Sequence, residues 1–110
     1  MKYLLLVYGE EALMAGVRDA ECKAYSETLQ KDGLILAADA LERVETATTI
    51  RVREGQAAIT DGPFAETKEQ LAGFYLIDAR DLDQAIEVAA GLPPARIGSI
   101  EIRPVRELQP

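Results

Sequence analysis

Two segments, KYLLLVY at residues 2–8 and LAGFYLIDA at residues 71–79, are apolar at nearly every position and rich in strand formers. A strand with one wetted face alternates apolar and polar residues, so runs without that alternation belong to strands covered on both sides. Both segments therefore belong in the middle of a sheet, and any fold for this chain must supply cover for two sheet faces. The intervening segments supply part of it. Residues 19–32 switch to a helical period, with Cys22, Tyr25 and Leu29 on one stripe, Asp19 as the expected N-cap and Gly33 as the stop. LILAADA, residues 34–40, reads as a further strand. TTIRVREGQAAITDG, residues 48–62, reads as a hairpin in which Ile50 and Val52 alternate with Arg51 and Arg53, and Glu54-Gly55 makes the turn, with Gly55 supplying a positive φ. Asp81 with Gln84 resembles a capping box, and Leu82, Ala85, Ile86 and Ala89 follow at helical spacing until Gly91, Pro93 and Pro94 end the helix. GSIEIRPV, residues 98–105, alternates strictly, with Ser99, Glu101 and Arg103 on one face and Ile100 and Ile102 on the other.

Strand, helix, strand, hairpin, strand, helix, strand amounts to two βαβ-like halves in one domain spanning residues 1–110. Each helix has a single apolar stripe, so both can cover the same face of an antiparallel-rich sheet. That is an α+β, ferredoxin-like sandwich with an extra β-hairpin. The second sheet face is then left bare, and a large bare apolar face is something soluble monomers avoid. A homodimer packing sheet on sheet, with two-fold symmetry, is the expected solution.

Composition removes several function classes. Twelve basic residues against nineteen acidic ones give a net charge of −7, a field that repels a phosphate backbone, so nucleic acid is not an expected partner. No apolar run approaches the roughly 18 residues of a membrane helix, so no membrane partner is expected either. The opening MKYLLLVYGEE lacks a small-residue cleavage site and reads as a strand, and the single Cys22 fits a reducing compartment, so a cytoplasmic location is expected. There is no histidine. This excludes Ser-His-Asp and Cys-His schemes and the usual zinc and iron ligand sets, and neither a cofactor nor a metal is expected. Cys22 reads as a small helix hydrophobe, because nearby Glu21 raises rather than lowers a thiol pKa. Gly73 weakens its strand unless a backbone or a ligand comes close.

The densest local signal is the corner after the hairpin, Asp61-Gly62-Pro63-Phe64, followed by Glu66, Lys68 and Glu69. Asp61 can accept hydrogen bonds from the turn's backbone, Gly62 can take angles closed to other residues, and Pro63 fixes φ near −65°. One reading is architectural, with Phe64 dropping its ring into the core as an anchor. In a second, the corner holds the Asp61 carboxylate at a cleft mouth as an acid or base, with Gly62, Pro63 and Phe64 against a ligand, and in a third it binds a protein partner. Glu101 and Arg103 share a strand face. They are either a mutually paired, solvated couple or, if that face lines a dimer cleft, a second acid–base candidate and an anion anchor for a small carboxylate- or carbonyl-bearing ligand. Tyr3, Tyr8 and Tyr75 read first as core aromatics, and Tyr8 is carried with Arg103 as a ligand-binding candidate.

TDGPFAETKEQLAGFYLIDARDLDQAIEVA, with PPARIGSIEIRPV and the opening MKYLLLVYG, resembles the DGPF subgroup of the YCII-related proteins over most of the chain. The resemblance implies a dimeric ferredoxin-like α+β barrel, bacterial and cytoplasmic, with a small-molecule pocket and no established reaction. It also implies a regulatory setting, since members often occur beside extracytoplasmic-function sigma factors. The alternative to ligand binding is thus a non-enzymatic accessory with a regulatory protein partner. Two departures stand out. The segment EEALMAGVR, residues 10–18, is shorter than is usual in the family, and Ile97 stands where relatives often carry His or Tyr. Ile97 cannot transfer a proton, so a histidine-dependent mechanism does not carry over.

Overall fold

In the computed structural model, which describes residues 1–109, the order of strands and long helices is that expected from the sequence, with one short α-helix added near the start and short 3-10 helices at Val44–Thr46 and Pro93–Arg96. The elements are β1 (Lys2–Gly9), α1 (Glu11–Met14), α2 (Asp19–Lys31), β2 (Ile35–Ala40), β3 (Thr48–Arg53), β4 (Gln56–Asp61), β5 (Gln70–Asp78), α3 (Leu82–Gly91) and β6 (Ser99–Pro104). Four strands form an antiparallel sheet in the order β2-β5-β1-β6, which places the two apolar strands at its centre. Leaving the hairpin aside, the first and third strands are the central pair, as in a ferredoxin-like arrangement.

Alternation along the central strands separates two faces. Tyr3, Leu5 and Val7 of β1 and Tyr75 and Ile77 of β5 are buried, and they form one core with Leu29 of α2 and Ala85, Val88 and Ala89 of α3. Both helices thus lie on the same side. Tyr25 of α2 ties the two helices together, its hydroxyl donating to the Val88 carbonyl at 2.8 Å. Leu4, Leu6 and Tyr8, with Phe74 and Leu76 opposite them, take the other face and stand outside that core, half-buried. Glu101 and Arg103 pair with Leu6 and Leu4 and so share this face. The sheet is open, with β2 and β6 as edges, and no barrel closes within one chain.

Gly73 is explained by backbone approach. A Cβ there would come within 2.8 Å of the Asp39 carbonyl oxygen and 3.3 Å of Ala40 Cα, so the β2–β5 contact needs a residue without a side chain. Asp81 caps α3 as expected, accepting from the Gln84 amide at 2.9 Å, while the Gln84 side chain accepts from the Arg80 amide. Two expectations change. The helix of residue 19 starts at Asp19 itself, with Arg18 in the cap position and no side-chain cap. In α3 the buried stripe is Ala85, Val88 and Ala89, continued by Leu92, whereas Leu82 and Ile86 are exposed. Helical spacing fits both stripes, and the one made of small residues lets the helix approach the sheet closely.

The hairpin β3–β4 forms its own two-stranded sheet, apart from the other four. Glu54 (φ 51°) and Gly55 (φ 75°) make the tight turn. The molecule measures 46 × 43 × 18 Å, its shortest dimension being about one sheet layer and one helix layer. Its radius of gyration is 15.7 Å, against about 13 Å for a compact domain of this length.

Candidate functional site

The corner after β4 is held by Gly62. At φ 105° Gly62 turns the chain back so that its amide donates to the Ala47 carbonyl at 2.7 Å, and its carbonyl accepts the Thr49 hydroxyl at 2.8 Å. Both backbone groups of one residue are therefore clasped to the start of the hairpin. The Asp61 carboxylate, expected to brace this turn, accepts no hydrogen bond among the described residues; it ends β4 opposite Thr48, in solvent. Phe64 is not a core anchor. It is 78% exposed, because the turn at Gly62 and Pro63 carries the chain over the rim and away from the core.

Beside Pro63 and Phe64 lies a cavity of about 620 Å³. Tyr8 and Leu71, a cross-strand pair at the ends of β1 and β5, contribute to its wall, and the loop from Leu41 to Ala47 lines another part of it. Most of the lining is apolar, and its volume is in the range of small-molecule sites. Its polar members are largely engaged elsewhere. Thr46 and Thr49 donate to the carbonyls of Arg43 and Gly62, Thr67 donates to that of Glu69, and the Gln70 side-chain nitrogen donates to the Thr67 carbonyl. The Tyr8 hydroxyl is different. Tyr25 spends its hydroxyl on a backbone carbonyl, but Tyr8 has no hydrogen-bond partner among the described residues.

Arg43 adds charge to the lining. Its guanidinium lies 3.6 Å from Glu11 and 3.3 Å from Glu45, and Glu11 also accepts the Val44 amide at 2.9 Å. The short segment 10–18 thus supplies α1, whose Glu11 pins the loop that forms one side of the cavity. Glu42 is the carboxylate in the lining.

Of the residues singled out from the sequence, the fold brings Tyr8, Pro63 and Phe64 together around this cavity. Asp61, Glu101 and Arg103 are not among its lining, and Gly62 acts behind it. Arg103 pairs with Glu101 at 3.3 Å, both exposed, as the paired-couple reading had it. Arg43, Glu42 and Thr49 went unnoticed in the sequence. In LERVETATT a loop arginine among acidic residues has the signature of an ordinary solvated charge, and nothing in the local spacing marks it.

A second cavity of about 380 Å³ lies on the helix side of the sheet, lined by Met14, Cys22, Ala38, Gly73, Tyr75 and neighbours. Burial, then the carboxylates of Asp19 and Glu21, push the Cys22 thiol up, so it is a poor nucleophile as expected. Burial also raises the Tyr75 phenol. Among the described residues no group of three or more acidic or cysteine side chains converges as a metal site, and no helix is long and apolar enough to cross a membrane.

Comparison with known proteins agrees with the topology. The model of the YCII-related domain matches residues 1–109. An uncharacterized protein of Rhizobium meliloti (strain 1021) is 37% identical over 123 residues, an alignment covering 100% of this chain and 96% of that protein. A match over nearly the whole chain, joined to the central pairing of β1 with β5 and both helices on one face, makes this chain a member of the YCII-related family.

Proposed function

We propose that this protein is a small-molecule-binding homodimer of the DGPF subgroup, acting in the cytoplasm, whose ligand occupies the cavity beside the Asp-Gly-Pro-Phe corner. The observation that carries the reading is Tyr8, whose hydroxyl has no hydrogen-bond partner among the described residues, in the lining of a mostly apolar cavity of about 620 Å³. A polar group in such a wall is costly to leave unpaired when a ligand displaces its water, so it selects a ligand that offers an acceptor. With the Arg43 guanidinium in the same lining, that acceptor is a carbonyl or carboxylate oxygen. The role is binding and orientation of the ligand.

Dimerisation rests on the bare sheet face. Leu4, Leu6, Phe74 and Leu76 form a contiguous apolar surface that the helices do not cover, and two such faces packed together make the two-sheet barrel. Tyr8 stands at the end of the same face, so a second copy shelters the cavity. Glu101 and Arg103, on this face, belong to the seam of that contact.

A thermal-shift series with small keto and carboxylic acids tests the binding reading. At least one compound is expected to raise the melting temperature, and Tyr8→Phe, which keeps the ring, is expected to weaken it about tenfold. If none stabilises the protein, or if Tyr8→Phe binds equally well, the cavity is not the site.

A further inference from the structure

The hairpin β3–β4 has two unlike faces, and neither is covered. The register pairs Ile50 with Ile59 and Val52 with Ala57, which puts four apolar residues on one face. Ile50 is 61% exposed and Ile59 70%. The opposite face carries Arg51 and Arg53, neither of which meets a carboxylate among the described residues; Arg53 donates only to the neighbouring Val52 carbonyl. An isolated two-stranded hairpin is marginal in water, and an apolar cross-strand pair left wet removes the main reason for it to persist. Yet this hairpin has a defined register, a tight turn and a clasp at its base through Gly62. Each strand of six residues gives it a reach of about 20 Å.

We infer that the hairpin is an arm that lies along a second copy of this chain. The inference rests on the dimer proposed above and adds an element to it that sheet packing alone does not require. Charge selects the occupant. The hairpin, residues 48–61, carries Arg51 and Arg53 on its polar face, with Glu54 in the turn and Asp61 at the base, leaving the remainder of the chain with ten basic and seventeen acidic residues. The arm's polar face is thus opposite in sign to the body of every other copy, a pattern that favours encounter between identical chains. Two-fold symmetry makes the contact twice, so each arm buries its Ile50–Ile59 face while receiving the other's. Phe64, exposed at the arm's base and part of the cavity wall, continues the apolar surface, and the arriving copy covers the cavity mouth.

Light scattering on the wild-type chain and on the double variant Ile50→Asp/Ile59→Asp, with hydrogen exchange on the wild type at about 1 and about 100 µM, tests this. Both isoleucines are exposed in the single chain, so the variant should retain its circular dichroism. The expected result is a two-chain mass for the wild type, a dimer dissociation constant raised on the order of 100-fold in the variant, and hairpin amides that lose protection on dilution. A two-chain wild type with an unaffected variant, or with hairpin amides that exchange alike at both concentrations, overturns the arm and leaves the sheet-to-sheet dimer standing. A single-chain wild type overturns both and removes the shelter proposed for the cavity, while the Tyr8→Phe thermal-shift comparison tests binding by a separate readout.

Discussion

Cys22, Tyr25 and Tyr75 lie close together between α2 and the sheet, and burial holds all three acidic protons more tightly than usual. For Cys22 the carboxylates of Asp19 and Glu21 add to the effect of burial, and Arg96 opposes it. The ordinary values are 9.0 for the thiol and 10.0 for the phenols. A raised folded pKa means that the unfolded chain releases its proton first as the pH rises. The stability linked to these groups is therefore complete below about pH 9 and is lost as the pH climbs through the raised values. The urea midpoint is expected to be lower at about pH 10.5 than at about pH 8, and Tyr75→Phe should reduce the difference. A midpoint unchanged between the two pH values would contradict the burial described here. Much of this was legible beforehand. The neighbourhood of Cys22 follows from Glu21 beside it and Tyr25 one turn on, whereas the proximity of Tyr75, some fifty residues away, is a tertiary fact. The corner shows the opposite case. Asp61 looks like its natural brace, but the Gly62 amide donates to the Ala47 carbonyl and the Gly62 carbonyl accepts the Thr49 hydroxyl, and no local pattern announces that the Ala47 carbonyl wins over the Asp61 carboxylate as the acceptor.

At the scale of elements, periodicity and turn chemistry were nearly sufficient. The two apolar runs became the central pair, Glu54-Gly55 became the hairpin turn, and Asp81 capped α3. Spacing failed where two solutions were equivalent, as with the two stripes of α3, and local signals missed α1 and placed the start of α2 one residue late. Gly73 shows what an element needs from its neighbour. Adding a methyl group there forces the β5 backbone away from the Asp39 carbonyl at 2.8 Å, an obstacle that cannot rotate aside. Gly73→Ala is expected to destabilise the fold by about 1–3 kcal/mol, the usual cost of overpacking. Chemical denaturation measures it, and a variant as stable as the wild type would show that β2 yields freely along this edge.

For the whole molecule the relevant numbers are a thickness of 18 Å and a radius of gyration well above that of a compact chain. A two-layer molecule with one apolar sheet face uncovered gains most of its remaining burial from a second copy, so stability and association are linked. The melting temperature is therefore expected to rise with protein concentration between about 1 and about 100 µM, and a concentration-independent melt would leave the bare face without its partner. The sequence by itself determined the six strands, the two long helices, their order and the excess of apolar strand surface, because these depend on periodicity and turn residues within a few positions of each other. Only the tertiary structure decided that Tyr8, Arg43, Pro63 and Phe64 meet around one cavity, that Phe64 leaves the core and that the hairpin stands apart. Those outcomes depend on where β1, β5 and the hairpin base end relative to one another in space, which is a balance of contacts between distant residues.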